Sequence, residues 1–407
     1  MGSATPADTV LPADAEDTIS SVSWSPAANH LAAASWDGKV RIYDVAPGPS
    51  ARAAAMLSTD NPVLSCDWAK PFDYIYTNGD VCAKDGTMVL AGGAGKRPHL
   101  LHLATGQQAA IGSHDAPIRS VRFLDTAALG ASSPAHLFAT GSWDKTVKYW
   151  DLRQPEKPLA TLACADRVYA MDTEASLLVV ATAGRHIHLV DLRNPSVFLR
   201  TTQSPLKYQT RAVSVFPDGR GWATASIEGR CGINAADEKS DGKSINFTFR
   251  CHRSAADLKN MNKVYTVNDV QFHPVRATTF VTAGSDGTFH FWDRISHTRY
   301  KSYEPPVTAA TAVTTAGSKT TNGNAQGGRN NNNNSSSDSA RAAITTTAFN
   351  RDGSLFAYAV GYDWSKGHAA NSPEYPNRLV LHSVTEEDVQ PRGRNRGMKP
   401  GNRLSWG

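Results

Sequence analysis

Short runs of alternating residues follow polar turns along the chain, and the clearest of them is SDGTFHFWD at 285–293. Side chains on a strand point alternately to its two faces, so Phe289 and Phe291 share one face while His290 and Trp292 share the other. Both faces are bulky, so such a strand needs packed neighbours on each side. WDGKVRIYD at 36–44 and WDKTVKYWD at 143–151 repeat the plan. Weaker copies stand at 183–191 (AGRHIHLVD) and 227–234 (IEGRCGIN), while GGAGKRPHLLHL at 92–103 and NRLVLH at 377–382 keep only the strand. A second short alternating strand precedes each copy: ISSVSW, VLSCDW, IRSVRF, VYAMD, TRAVSVF, VNDVQF and ITTTAF.

Seven units result. With one low-complexity insert set aside, each spans roughly 46 residues, near the ~40–45 of a WD-type propeller blade. The pattern therefore predicts an all-β fold, a seven-bladed WD-repeat β-propeller over 19–390, whose closed ring protects the sheet edges. The aspartates of SWDG and SWDK suit tight turns in which a carboxylate bonds its own backbone. Residues 1–18 read as an N-terminal extension. Residues 303–343 are low in packable apolar residues and rich in Asn, Thr, Ser and Gly, and read as a disordered insert between blades six and seven. Residues 391–407 read as a disordered basic tail.

Charge refines this picture. The net +5 comes from 42 basic and 37 acidic residues, and Arg392, Arg394, Arg396, Lys399 and Arg403 in the tail account for the whole excess. A body neutral by count argues against a duplex-gripping basic face, while the clustered cations of the tail are expected to attract phosphate and to bind RNA weakly, with little regard to sequence. The five cysteines are scattered and never form CxxC, which fits a reduced intracellular chain. No stretch approaches 18 apolar residues, and neither a signal segment nor a membrane span is expected.

The search for chemistry returns little. GGAGK at 92–96 lacks the phosphate-loop spacing and is followed by a strand, so it reads as a turn. His186 and His188 share a face but have no further ligand at metal spacing nearby, and read as a packed pair. In NFTFRCHRS (246–254), Cys251 and His252 are adjacent and would face apart on a strand, which makes them poor partners for one ion. His114 suits a histidine that props a blade by bonding the turn aspartate. GxSxG and HExxH do not occur. The expectation is a non-enzymatic module with no cofactor and no resident metal.

SHDAPIRSV, TGSWDKTVKYWDLR, DRVYAMD, SPLKYQTR, SIEGR, NFTFRCHRS, VNDVQFHP, GSDGTFHFWD and YDWSKGH, taken in order, resemble the WD-repeat mRNA export factors of the nuclear pore. The likeness spans blades one and three to seven. SIEGR and FxCHR are shared with the sister spindle-checkpoint propellers; YDWSKGH (362–368) is similar to the export family alone. Blade two departs from the pattern through PFDYIYTNGDVCAKDG, and the Asn-rich insert has no family counterpart.

The resemblance implies a nuclear-pore adaptor for mRNA export that shuttles between nucleus and cytoplasm. Its upper face would hold a short acidic and apolar peptide from a Phe-Gly-repeat nucleoporin, with single-stranded RNA nearby and a monomeric propeller working inside a heteromeric complex. Arg253, His252, Trp364, Lys366 and Phe289 are the expected peptide contacts. A spindle-checkpoint scaffold with checkpoint kinases as partners is the alternative. A third reading, substrate receptor of a cullin ubiquitin ligase, rests on Trp150-Asp151-Leu152-Arg153 and Asp191-Leu192-Arg193.

Overall fold

A computed structural model describes residues 8–12, 15–46, 50–70, 87–126, 136–237, 245–255, 260–305, 341–373 and 375–390. Seven four-stranded sheets stand side by side as blades. Blades one to six each use four consecutive strands, starting at Ile19–Trp24, Val63–Trp68, Ile118–Phe123, Val168–Glu174, Thr210–Val215 and Val267–Phe272. Every pairing inside a blade is antiparallel, so the turns between second and third strands and the links to the next blade open on one face, here called the upper.

The alternation read from the sequence is what builds the core. Seven apolar clusters each span two adjacent blades, the last joining blade seven to blade one. Within Leu177–Thr182 of blade four, Leu178 and Val180 face blade three while Leu177, Val179 and Ala181 face blade five. Phe289 and Phe291 face blade seven and Trp292 faces blade five, as SDGTFHFWD suggests.

Polar links reinforce the same seams at alternate blades. The Asp67 carboxylate of blade two accepts from Phe123 N at 2.8 Å, Asp172 of blade four from Val215 N at 2.8 Å, and Asp269 of blade six from Thr347 N at 2.7 Å. Arg122 of blade three reaches Asp172 at 3.1 Å. Asp269 is buried with hydroxyl and amide donors around it, and burial raises its pKa despite them.

The N-terminus departs from expectation. Residues 1–18 are not all an extension, because Thr9–Val10 pairs with Val380 and Leu381 as the outer strand of blade seven. Two residues carry no periodicity, and their partner lies some 370 positions away in the chain, so no local pattern announces the strand. The expected insert begins later and ends earlier than 303–343: Tyr303 closes a strand, the next begins at Ala343, and 306–340 lie outside the described residues. The tail at 391–407 and the diverged blade-two segment, 71–86, also lie outside them.

A buried polar knot fastens this closing strand. Asp8 accepts from His382 Nδ1 at 2.7 Å and from the Tyr358 hydroxyl at 2.6 Å. Asp388, on the short helix Glu386–Val389, lies 3.7 Å from His382 Nε2 and takes Lys301 Nζ at 2.7 Å, the Tyr303 hydroxyl, and Thr385 N at 2.7 Å. Burial works against charge on His382, yet hydrogen bonds and attraction from Asp388 and Asp8 prevail and raise its pKa. The same contacts hold Asp388 well below the usual carboxylate range.

A raised folded-state pKa gives stability that is complete below the unfolded histidine value of about 6.5 and is lost as pH climbs through the folded value. Urea unfolding at pH 6 should show His382→Gln less stable than wild type, with the gap shrinking at pH 9. A gap that widens with pH would contradict the charged form of this knot.

Candidate peptide-binding face

The upper face is stiffened at two blades by the same four-residue chain. In blade three, His114 Nδ1 meets Asp144 at 2.7 Å, His114 Nε2 meets Thr140 Oγ1 at 2.7 Å, and Trp150 Nε1 donates to Thr140 Oγ1 at 2.8 Å. In blade six, His252 meets Asp286 at 2.9 Å and Thr282 Oγ1 at 2.9 Å, and Trp292 Nε1 donates to Thr282 Oγ1 at 3.0 Å. Burial lowers the His114 pKa against the pull of Asp144, so that histidine is a neutral hydrogen-bonding strut. Each aspartate also holds its own turn, with Thr146 N on Asp144 at 2.9 Å and Thr288 N on Asp286 at 3.2 Å.

A bulge recurs in the innermost strand of every blade. Its register slips once near the start, skipping Ser20, Leu64, Arg119, Tyr169, Arg211, Asn268 and Thr345 in blades one to seven. A bulge re-aims the extra residue away from the ladder. All of these except Tyr169 line one cavity of about 140 Å³ at the upper mouth of the channel. Trp36 and Trp143 from the SWD turns line it too, with Trp364 and Asp363 from the long loop of blade seven.

The loop after Leu355–Gly361 is built for rigidity. The buried Tyr362 hydroxyl donates to Gly367 O at 2.6 Å and accepts from Lys366 N at 3.1 Å, while Asp363 Oδ1 accepts from Ser365 N at 3.1 Å. Trp364 has left-handed backbone, φ 62°. Its ring stacks on Trp36 with centroids 4.3 Å apart, and its buried Nε1 has no hydrogen-bond partner among the described residues. Arg211 reaches across from blade five to Asp363 O at 3.2 Å. Burial, with Arg211 and Arg122 nearby, pushes the Arg119 pKa down to about 10; burial also lowers Arg211 against the attraction of Asp363 and Asp269. Arg119 also donates to Leu64 O at 3.3 Å, and both arginines share the cavity lining with Trp36, Trp143 and Trp364.

The expected contacts divide between places. Trp364 lies in the mouth, and the exposed Lys366 follows it on the same loop. Arg253 sits on blade five's side, donating to Glu228 O at 2.8 Å and Gly229 O at 3.4 Å, where burial and the nearby Arg230 and Arg250 lower its pKa. It does not line the Trp364 cavity. His252 is 2% exposed and is a strut of blade six, so it is corrected from surface contact to support. Phe289 is 0% exposed and packs against Tyr303, Phe356 and Tyr358, so its expected surface role is corrected as well. The bulged arginines and the SWD tryptophans were not expected; the sequence signal for them is the second position of each unit's first strand and an indole inside a turn.

Other candidates resolve locally. Strand Phe247–Arg250 ends before His252, whose φ of 49° turns it towards Asp286 while Cys251 enters the core 3.7 Å from Cys231. Gly92 and Gly93 end the strand Met88–Gly93, and only Ala94–Lys96 of GGAGK belongs to the turn that leads to His99–His102. His188 bonds Thr201 Oγ1 at 2.9 Å and stacks on Phe198, a packed position. Arg153 and Arg193 fork onto Asp151 and Asp191 of their own turns, each with Nη2 at 2.6 Å, which occupies both arginines without a ligase. The five tail residues, Arg392, Arg394, Arg396, Lys399 and Arg403, lie outside the described residues.

The WD domain, G-beta repeat, model matches residues 8–44, 106–151 and 258–293. The poly(A)+ RNA export protein of Schizosaccharomyces pombe is 42% identical, covering 93% of this chain and 90% of that one. The chain belongs to the WD-repeat mRNA export factor family. The mRNA export factor GLE2 of Chaetomium thermophilum, another member by name, is 40% identical over 95% of this chain and 92% of its own. The WD40 repeat protein poxJ of Penicillium oxalicum is 46% identical over 92% and 93%. The spindle-checkpoint branch is more distant: mitotic checkpoint protein BUB3.1 of Arabidopsis thaliana is 31% identical over 92% of each chain.

If the struts hold the upper turns of this export-factor fold, His114→Ala should destabilise by about 2–4 kcal/mol, since it opens a cavity and removes a buried hydrogen bond from each of Asp144 and Thr140. Urea denaturation measures this; a loss within about 0.5 kcal/mol would contradict it.

Proposed function

We propose that this protein is a non-catalytic adaptor for mRNA export at the nuclear pore, whose upper channel mouth binds an acidic and apolar peptide of a Phe-Gly-repeat nucleoporin. The observation that carries the reading is one cavity where Trp36, Trp143 and Trp364 surround Arg119 and Arg211, in a chain whose relatives include named RNA export proteins. Indoles in a concave mouth offer apolar anchorage and the arginines offer charge-assisted bonds to a carboxylate, the usual makings of a peptide hot spot. Exposed Tyr208, Ile227, Met261 and Val264 stand on the upper turns and links that lead into and out of blade five. The greater likeness to export factors than to the checkpoint relative favours export over the checkpoint role. Localisation at the nuclear envelope with shuttling to the cytoplasm follows from this reading.

Titration calorimetry with the nucleoporin peptide tests the mouth. Trp36→Ala and Arg211→Gln should each weaken binding by about tenfold or more, roughly 1.4 kcal/mol or above, and Trp364→Ala combined with Lys366→Glu should weaken it further. Wild-type affinity in all three would remove the mouth from the function.

RNA is assigned to the tail. Five cations without an acid should contribute up to about 3.5 to the slope of log affinity against log salt for single-stranded RNA. Removing 391–407 should flatten that slope accordingly; an unchanged slope would put the RNA contact on the propeller.

A further inference from the structure

Blades three and six carry the same strut, but on the face of the third strand that bears the strut's tryptophan they differ at one position. Blade three has Lys148 in TVKYWD, and its Nζ leaves the strut to bond Ser113 O at 2.9 Å. Blade six has His290 in TFHFWD, and its ring turns towards the strut, 4.6 Å from the His252 ring. The aspartate-histidine pair of blade six thus faces a second imidazole.

We propose that His252, Asp286 and His290 form a binding site for one zinc ion, set beneath the upper face where the loop after blade five meets blade six.

The donor atoms converge. One ligand atom from each residue lies within 4.8 Å of the other two. His252 Nδ1 is 2.9 and 3.0 Å from the two Asp286 oxygens. Thr288 Oγ1 stands 3.4 Å from His252 Nδ1 and 3.3 Å from His290 Nε2. A tetrahedral zinc ion with bonds of about 2.0–2.1 Å holds its ligand atoms roughly 3.3 Å apart, so His252 and Asp286 are near that spacing already and the widest pair would close by up to about 1.5 Å. Thr288 Oγ1 or a water completes the four. The ion would replace the proton shared by His252 Nδ1 and Asp286, leaving the Thr282 and Trp292 end of the strut in place.

The supporting shell suits the task. A metal-ligating histidine ordinarily engages a partner through its second ring nitrogen, which fixes the ring. His290 Nδ1 meets Ser302 Oγ at 2.6 Å and His252 Nε2 meets Thr282 Oγ1 at 2.9 Å. Gly284 leaves the room the site needs, since a Cβ there would lie 2.4 Å from His252 Nδ1. Asp286 is half-buried at the upper face and gives the ion its way in. Such an ion would tie the loop bearing Arg253 to the turn of blade six.

Titration of the chelator-treated full chain with Co2+, followed by displacement with Zn2+, tests the site. The expected result is one equivalent of Co2+ with tetrahedral nitrogen-and-oxygen absorption bands, free of thiolate charge transfer, reversed by Zn2+. His290→Ser should bind at least tenfold more weakly and lose the rise in melting temperature that Zn2+ gives wild type. His290→Lys, which copies blade three, serves as a second variant should His290→Ser fail to fold. No saturable uptake by wild type, thiolate bands that move binding to the cysteines, or equal uptake by a folded His290 variant would each overturn the proposal.

Discussion

A strand with apolar side chains on both faces is stable only between two others, and this need governs the whole molecule. Each blade gives half of one core cluster to each neighbour, so the seven clusters form a circle that no blade can leave. The circle closes through Thr9–Val10. So short a strand contributes little by itself, and the Asp8, His382 and Asp388 knot is what fastens it.

Closure also makes the site. Seven inner strands crowd the axis, and a bulge in each turns one side chain out of its ladder, all but Tyr169 lining the channel mouth. What that ring holds is therefore set by seven positions far apart in sequence. Here it brings Arg119 and Arg211 beneath tryptophans supplied by the turns of blades one and three and the loop of blade seven. The histidine struts tie the upper turns of blades three and six to their own sheets, so the proposed peptide would need less ordering of the protein there.

How much of this was legible follows from range. The fold was open to reading because FHFWD, HIHLVD and their kin declare a strand with two buried faces within nine residues, and repeat it. YDWSKGH and FRCHR stand at the upper face because one follows the second strand of blade seven and the other leaves the last strand of blade five. Phe289 was ambiguous because a core phenylalanine and a pocket phenylalanine look alike within one strand, and only the seam with blade seven decides. His252 bonds residues 30 and 34 positions onward, beyond any local pattern. Arg211 was hidden because its meaning comes from Asp363, 152 residues away, and from a bulge that a two-residue period does not reveal.

The most direct measurement of the central claim is hydrogen–deuterium exchange on the full chain with and without the nucleoporin peptide. Slower exchange at the turns 35–38 and 142–145, the loop 362–367 and the bulged starts of the inner strands is expected, with the lower turns unchanged. Protection confined to outer strands or to the lower face would contradict the account.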